Sequence, residues 1–388
     1  MLFFVAMQLI LFKALVIIAA LAYVLLLTYY RKWFLQVMPF TSTNKHIPNT
    51  KFSVIIPARN EEENIKKCLQ SIINQKYPQH LFEVIVIDDH STDNTSSIVS
   101  SFQSKNQNIH LLKLEDDLKG KVINAYKKKA IELAINKANG DWIITTDADC
   151  LLNENWLKLY DEFICMNDVV FVAAPVMFTK GKSILSIFQF IDFMALQATT
   201  AAAVAAGFHS MCNGANLAYN KNVFIEVGGF KGIDKIASGD DMLLMNKIKK
   251  KHPNKIGYLY HQEAIATTDP MPTWKDFFNQ RIRWASKADS YKDKTLLPAL
   301  LLVYLFNLSV LICILVSIFQ PDLWLFTIAL ITIKIFVEWR FLKTSFKFFG
   351  KVDLLNFTLL QPLHIIYIVV AGWLGKFGSY SWKERIVK

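Results

Sequence analysis

Apolar residues along this chain fall into three patterns, and each predicts a different kind of element. The first is long and nearly uncharged. Residues 2–30 carry one charge, Lys13, and residues 296–319, 323–341 and 354–374 are three further apolar stretches. Runs of about 20 apolar residues match the hydrocarbon core of a bilayer, so residues 1–30 read as an anchor and 295–375 as two or three further spans. The second pattern is short and β-branched. Residues 52–57, 82–87, 109–114 and 142–146 read as buried strands. The third repeats at helical spacing, as with Ile65, Leu69, Ile72 and Ile73 within 61–75, and predicts further helices over 93–102 and 125–138.

Strands alternating with helices imply a parallel sheet covered on both faces, so residues 50–290 are expected to form one α/β domain. Ligands of such sheets bind outside the carboxyl ends of the strands. Residues 184–208 are apolar and alanine-rich but interrupted by Gln189, Asp192 and Gln197. That pattern fits a helix lying on a membrane surface or against the other anchors, and equally a buried core helix.

Charge sets the orientation. The net charge is +11, and Arg31, Lys32, Lys45 and Lys51 follow the first apolar run. The positive-inside bias then puts the central domain on the cytoplasmic side, where basic residues meet an anionic leaflet. The first run has no basic start and no small-residue cleavage site, which favours a retained anchor over a signal peptide. No basic stripe interleaves with aromatics and no helix-turn-helix or zinc pattern occurs, so nucleic acid is not an expected partner. The five cysteines are scattered and never form a CxxC pair, which suits a reducing compartment and argues against a disulfide framework.

Four clusters carry candidate chemistry, each with a plain structural alternative. Asp147-Ala148-Asp149 ends a predicted strand, where two carboxylates can share a hard divalent cation, although the triplet is common in solvated loops. Asp88 and Asp89 end another strand and can accept hydrogen bonds from a base or ribose, while the following Ser91 to Asp93 reads as a helix start. Gly239-Asp240-Asp241 precedes a helix and offers either a general base or an N-cap. On a helix Gln280, Arg283 and Trp284 share one face, which suits a diphosphate and a stacked sugar, or an interfacial tryptophan ahead of a span. The lysine runs 119–121 and 127–129 read as solvated faces. His90, His209 and His261 show no metal spacing. Lys334, Glu338 and Arg340, within an apolar stretch, are expected to pair or to snorkel.

Six motifs, in order, resemble those of the membrane-bound branch of glycosyltransferase family 2. They are Val54-Ile-Ile-Pro-Ala-Arg-Asn-Glu61, Val86-Ile-Asp-Asp-His-Ser-Thr-Asp93, Gly140-Asp-Trp-Ile-Ile-Thr-Thr-Asp-Ala-Asp149, Gly214-Ala-Asn-Leu-Ala-Tyr219 with Gly228-Gly-Phe230, Gly239-Asp-Asp241 and Gln280-Arg-Ile-Arg-Trp284. The resemblance implies a GT-A-type nucleotide-binding domain with a mostly parallel sheet, flanked by transmembrane helices, in a multi-pass protein such as those of a bacterial inner membrane. It implies an inverting transfer from a nucleotide-sugar donor, by default a UDP-sugar, to a membrane lipid or glycan acceptor, assisted by Mg2+ or Mn2+. By the same likeness Asp88 or Asp89 contacts the nucleotide with Pro57 and Glu61 nearby. Asp147 touches the donor, Asp149 with Asp147 ligates the metal, and Asp241 is the base with Asp240 beside it. Gln280, Arg283 and Trp284 hold the diphosphate and frame the acceptor, and Asn213, Gly214 and Asn216 line the acceptor side. Two positions depart from the usual pattern: Asp240 stands where glutamate is commoner, and His90 where glycine is. A processive polysaccharide synthase and a catalytically silent membrane scaffold are the alternative readings.

Overall fold

The computed structural model describes residues 2–43, 46–120, 123–234, 236, 239–287, 293, 295–378, 380–382 and 385–387. Of the residues singled out in the sequence, Lys45 and Lys121 lie outside them.

The β-branched runs form the strands they predict. Strands β1 (Phe52–Ala58), β2 (Phe82–Asp88), β3 (Ile109–Lys113), β4 (Trp142–Thr145), β5 (Phe171–Ala173), β7 (Leu217–Asn220) and β8 (Ile256–Tyr258) make a seven-stranded sheet of order β3-β2-β1-β4-β7-β5-β8. Only β7 runs against its neighbours. Strands β6 (Val176–Phe178) and β9 (Ala266–Thr268) pair separately. The register aligns Ala58 with Asp88 and Ile55 with Thr145, so β1, β2 and β4 deliver their carboxyl ends to one edge. Alternation along β1 sends Val54 and Ile56 into one core and Ile55 into another, so both faces are buried, as a parallel sheet requires.

Helices α2 (Ile65–Ile73), α3 (Thr95–Gln103), α4 (Leu114–Leu118), α5 (Tyr126–Lys137) and α6 (Trp156–Met166) cover those faces. Ala130, Ile131, Ala134 and Ile135 of α5 pack on the Ile55 side, and Ile65, Leu69 and Trp156 on the opposite side. Asp161 of α6 is fully buried and accepts from Thr50 N and Asn49 N, tying α6 to the segment before β1. With His46 and Cys165 it forms the one described trio whose ligand atoms converge as around a metal. Its oxygens are already occupied, which makes it a brace.

The apolar stretches form α1 (Leu2–Phe34), α7 (Ile184–Ala206), α11 (Leu296–Phe319), α12 (Trp324–Phe349), α13 (Leu354–Leu359) and α14 (Gln361–Phe377), and three smaller helices, α8 (Lys221–Glu226), α9 (Met242–Lys251) and α10 (Trp274–Ala285), belong to the α/β domain. By length and composition, Met7–Phe34, Ile184–Ala206 and Leu296–Phe319 are long and apolar enough to cross a membrane. The last apolar stretch is broken at Leu360, because Pro362 fits only the first turn of a helix.

In two places the structure selects between alternatives that the sequence leaves open. Helix α7 does not lie on a surface, because it is packed inside the protein on most of its circumference. Its polar interruptions are buried anchors: Gln197 accepts from Val176 N at 3.0 Å, and Gln189 exchanges two hydrogen bonds with the Met271 backbone. Lys334 pairs with Glu338 one turn away, and Tyr23 and Gln361 donate to the same carboxylate, which braces α12 against α1 and α14. Arg340 takes no part in that network.

Candidate active site

A cleft of about 650 Å³ opens beyond the carboxyl edge of the sheet. Twelve of the residues predicted from sequence line it: Pro57, Glu61, Asp89, Asp147, Asp149, Asn213, Gly214, Asp240, Asp241, Gln280, Arg283 and Trp284. Two do not. Asp88 is turned into the β2–α3 connection, accepting from Ser91 N at 3.0 Å and from Ser96 Oγ. Asn216 is fully buried and saturated. It accepts from Trp156 Nε1 and Tyr160 OH and donates to the carbonyls of Pro175 and Ala264. The acceptor role expected for Asn216 does not fit that burial; it is a knot in the core.

One end of the cleft is built by lacing two loops together. Arg59 donates to the Asp89 and His90 carbonyls at 2.8 and 3.0 Å, and Glu61 N donates to Thr95 Oγ1. His90 sits at φ 58, in the left-handed region that glycine enters freely. The position where glycine is more usual therefore does have glycine-like geometry. Here a 2.9 Å contact between His90 Nδ1 and Asp89 Oδ1 accompanies that conformation.

A lysine joins the two acidic motifs. Lys127 Nζ donates to Asp147 Oδ1 at 2.9 Å and lies 3.4 Å from Asp240 Oδ2. Burial alone would lower the Lys127 pKa, but the carboxylates of Asp147 and Asp240 raise it far above the ordinary value. Burial likewise works against Asp240, yet Lys127, Lys287 and Lys128 hold its carboxyl below the usual range. Its neighbour Lys128 turns inward, donates to the Ile236 carbonyl, and is pushed down to about 8 by burial. The 127–129 run is thus not a solvated face. Three consecutive helical residues point about 100° apart, so they cannot all share one solvated side.

Asp241 takes the N-cap position and also faces the cleft. Its Oδ1 accepts from Met242 N at 2.7 Å as the N-cap of α9, and its Oδ2 accepts from Gly214 N at 3.2 Å at the cleft wall. Gly239, at φ 82, makes the turn that presents the pair. Ser238, just before it, lies outside the described residues. A Cβ added to Gly214 would stand 3.2 Å from Asp240 Oδ2, so that wall is tight.

Helix α10 supplies the opposite wall. Thr273 Oγ1 caps it by accepting from Asp276 N, and its Gln280, Arg283 and Trp284 face the cleft as their spacing predicts. The Gln280 Oε1 atom is buried with no partner among the described residues, an acceptor awaiting a donor. Arg281 faces away. It is buried against Asp192 Oδ2 at 2.9 Å, and Tyr367 donates to the other oxygen of Asp192.

The donor set suits a hard divalent cation. Asp147 and Asp149 offer oxygens at the end of β4, and the sulfurs beside them are those of Cys68 and Cys150, whose thiols burial and the neighbouring Asp149 keep protonated. Oxygen without thiolate is the preference of Mg2+ or Mn2+. Lys127 compensates the charge of Asp147 in this arrangement.

A mostly parallel sheet with carboxylates along one edge and a basic, aromatic helix across the cleft defines a GT-A-type nucleotide-binding domain. The model of glycosyl transferase family 2 matches residues 53–228, and that of glycosyl transferase family group 2 matches residues 142–339, just over half of the chain. The chain belongs to glycosyltransferase family 2. It is 30% identical over 247 residues to the probable glycosyltransferase YdaM of Bacillus subtilis (strain 168), covering 62% of this chain and 55% of that protein. It is 29% identical over 190 residues to glycosyltransferase AglE of Haloferax volcanii, covering 49% of this chain and 58% of that one. The chain therefore spans little more than half the length of these relatives. Among solved structures, the mannosyltransferase PcManGT from Pyrobaculum calidifontis, in complex with GDP-Man and Mn2+, superposes with a TM-score of 0.58 at 20% identity, covering 93% of this chain and 99% of that one.

Proposed function

We propose that this chain transfers a sugar from a nucleotide-sugar donor to a membrane lipid or short glycan at the cytoplasmic face of a membrane, with inversion at the anomeric carbon. The observation that carries the reading is the Lys127 bridge. It draws Asp147 at the end of β4 and Asp240 at the head of α9 into one cleft with Gln280 and Arg283.

In this reading Asp89, Pro57 and Glu61 receive the nucleotide. Asp149, with Asp147, holds a divalent cation, which when bound neutralises charge on the diphosphate; PcManGT, of the same fold, carries both a nucleotide sugar and Mn2+. Asp241 takes the proton from the acceptor hydroxyl as that oxygen attacks C1 and the diphosphate leaves. Its two hydrogen bonds from backbone N–H groups fix the carboxylate towards the acceptor side, where Asn213 and Gly214 stand. Arg283 and Gln280 bind the departing phosphates, electrostatic stabilisation aimed at the charge that develops. Trp284 offers a face for the sugar.

Donor turnover in membranes by Asp241→Asn and Asp149→Ala tests this. Loss of a general base costs roughly 100- to 10,000-fold, and near-normal rates in both variants overturn the reading. A processive polymerase has the same motifs, and product length on a sizing gel separates it from single transfer.

A further inference from the structure

We propose that the outer face between α1 and α12 is a binding site for an anionic phospholipid, its phosphate held by Arg31 and Arg340. A crevice of about 280 Å³ lies there, and both arginines line it together with apolar side chains such as Leu27 and Phe336. The two helices run parallel. Lys13 lies over the ring of Phe326, Tyr23 donates to Glu338, and Tyr30 packs against Phe341. That register brings Arg31 and Arg340, each next to one of the last pair, to the same level at the carboxyl-terminal end of the crevice.

Among the described residues neither guanidinium has a charged partner. Arg31 Nε is buried without a partner, and no ion pair among the described residues involves Arg31 or Arg340. The nearest carboxylate in sequence, Glu338, is taken by Lys334, Tyr23 and Gln361. Two guanidinium forks above an apolar wall match a phosphate diester above its acyl chains. Phe336 is 63% exposed and Ile333 42%, so the wall faces outward, where lipid chains lie. Their level, beside Lys32 at the end of α1, is that of the anionic cytoplasmic leaflet. The crevice shares no lining residue with the catalytic cleft, so its occupant is a lipid of the bilayer and not the sugar acceptor.

The inference rests on reading α1 and α12 as membrane helices. The test is native mass spectrometry of the full chain in detergent with equal amounts of phosphatidylglycerol and phosphatidylcholine. Retention of phosphatidylglycerol is expected to exceed that of phosphatidylcholine by roughly 25-fold, since each of the two basic residues at an anionic surface contributes about fivefold. R31Q/R340Q should retain both equally, and K343Q, an exposed lysine of α12 off the crevice, should keep the preference. No preference in the native chain, or an equal loss in K343Q, overturns the site. A photoactivatable phosphatidylglycerol needs no variant: label on residues 24–31 and 332–340 supports the site, and label elsewhere refutes it. Release of the chain from membranes by a carbonate wash would instead refute the membrane reading. Because sugar transfer is not measured, the catalytic proposal stands or falls separately.

Discussion

Arg281 lies over Trp284 with its guanidinium carbon 4.2 Å from the ring centroid, and the same guanidinium is ion-paired to Asp192 of α7. The helix that packs against α1 therefore sets the position of a tryptophan that faces the cleft. Breaking one side of a buried ion pair leaves an uncompensated charge and costs about 3–5 kcal/mol. Asp192→Ala should destabilise the detergent-purified chain by about that amount in thermal unfolding. Asp192→Asn, which still accepts from Tyr367, should cost less.

Lys127 holds two carboxylates of the cleft at once. Its replacement by methionine keeps the stem and removes the charge. Charge-assisted hydrogen bonds contribute about 1.5–3 kcal/mol, so turnover of Lys127→Met should fall roughly 10- to 100-fold. The pH profile gives a second check. Asp240 is held below the usual carboxylate range against its burial, chiefly by Lys127. Without that cation its pKa rises, so the acidic limb of activity should move to higher pH.

The family resemblance implies an acceptor role for Asn216, and its burial argues for a structural one. Asn216→Ala strands the Trp156 indole N–H, the Tyr160 hydroxyl and two carbonyls. Each buried polar group left without a partner costs about 1–3 kcal/mol, so the loss of stability should be several kcal/mol. The fraction that folds should have an unchanged KM for acceptor. A raised acceptor KM with intact stability would restore the acceptor reading.

Much of this was legible in the chain. Short β-branched runs marked β1 to β4 because strands buried on both faces cannot alternate with polar residues. The acidic motifs at their ends pointed to one edge because parallel strands share a direction. What escaped was whatever depends on the direction of a single side chain. The lysine run 127–129 hid one cleft residue and one core residue, a distinction that exists only once α5 is packed. In sequence Asp192 and Gln189 only interrupt an apolar helix, and their partners lie 89 and 82 residues away (Arg281 and Met271). Polar residues in an apolar helix report that a partner exists, not where it is.

His209 supplies the pH dependence of stability. It is buried, in contact with Thr295 Oγ1 at 3.0 Å and against the rings of Phe208 and Tyr30. Burial lowers its pKa to about 4, Asp293 pulling it upwards and Lys249 down. Unfolded, a histidine takes its proton near pH 6.5. Between those values the unfolded chain binds a proton that the folded chain refuses, so stability falls as pH drops from about 6.5 to about 4. The loss from this one residue is about 3 kcal/mol by pH 4. Asp293, held low by Thr295 and Ser210 against its burial, adds a loss of the same sign at lower pH. The His209 share is isolated by comparison with His209→Gln, which lacks the titrating ring. Denaturant unfolding at pH 7 and pH 4.5 should show the native chain losing more stability than the variant. Parallel losses in the two chains would assign the acid sensitivity to the carboxylates instead.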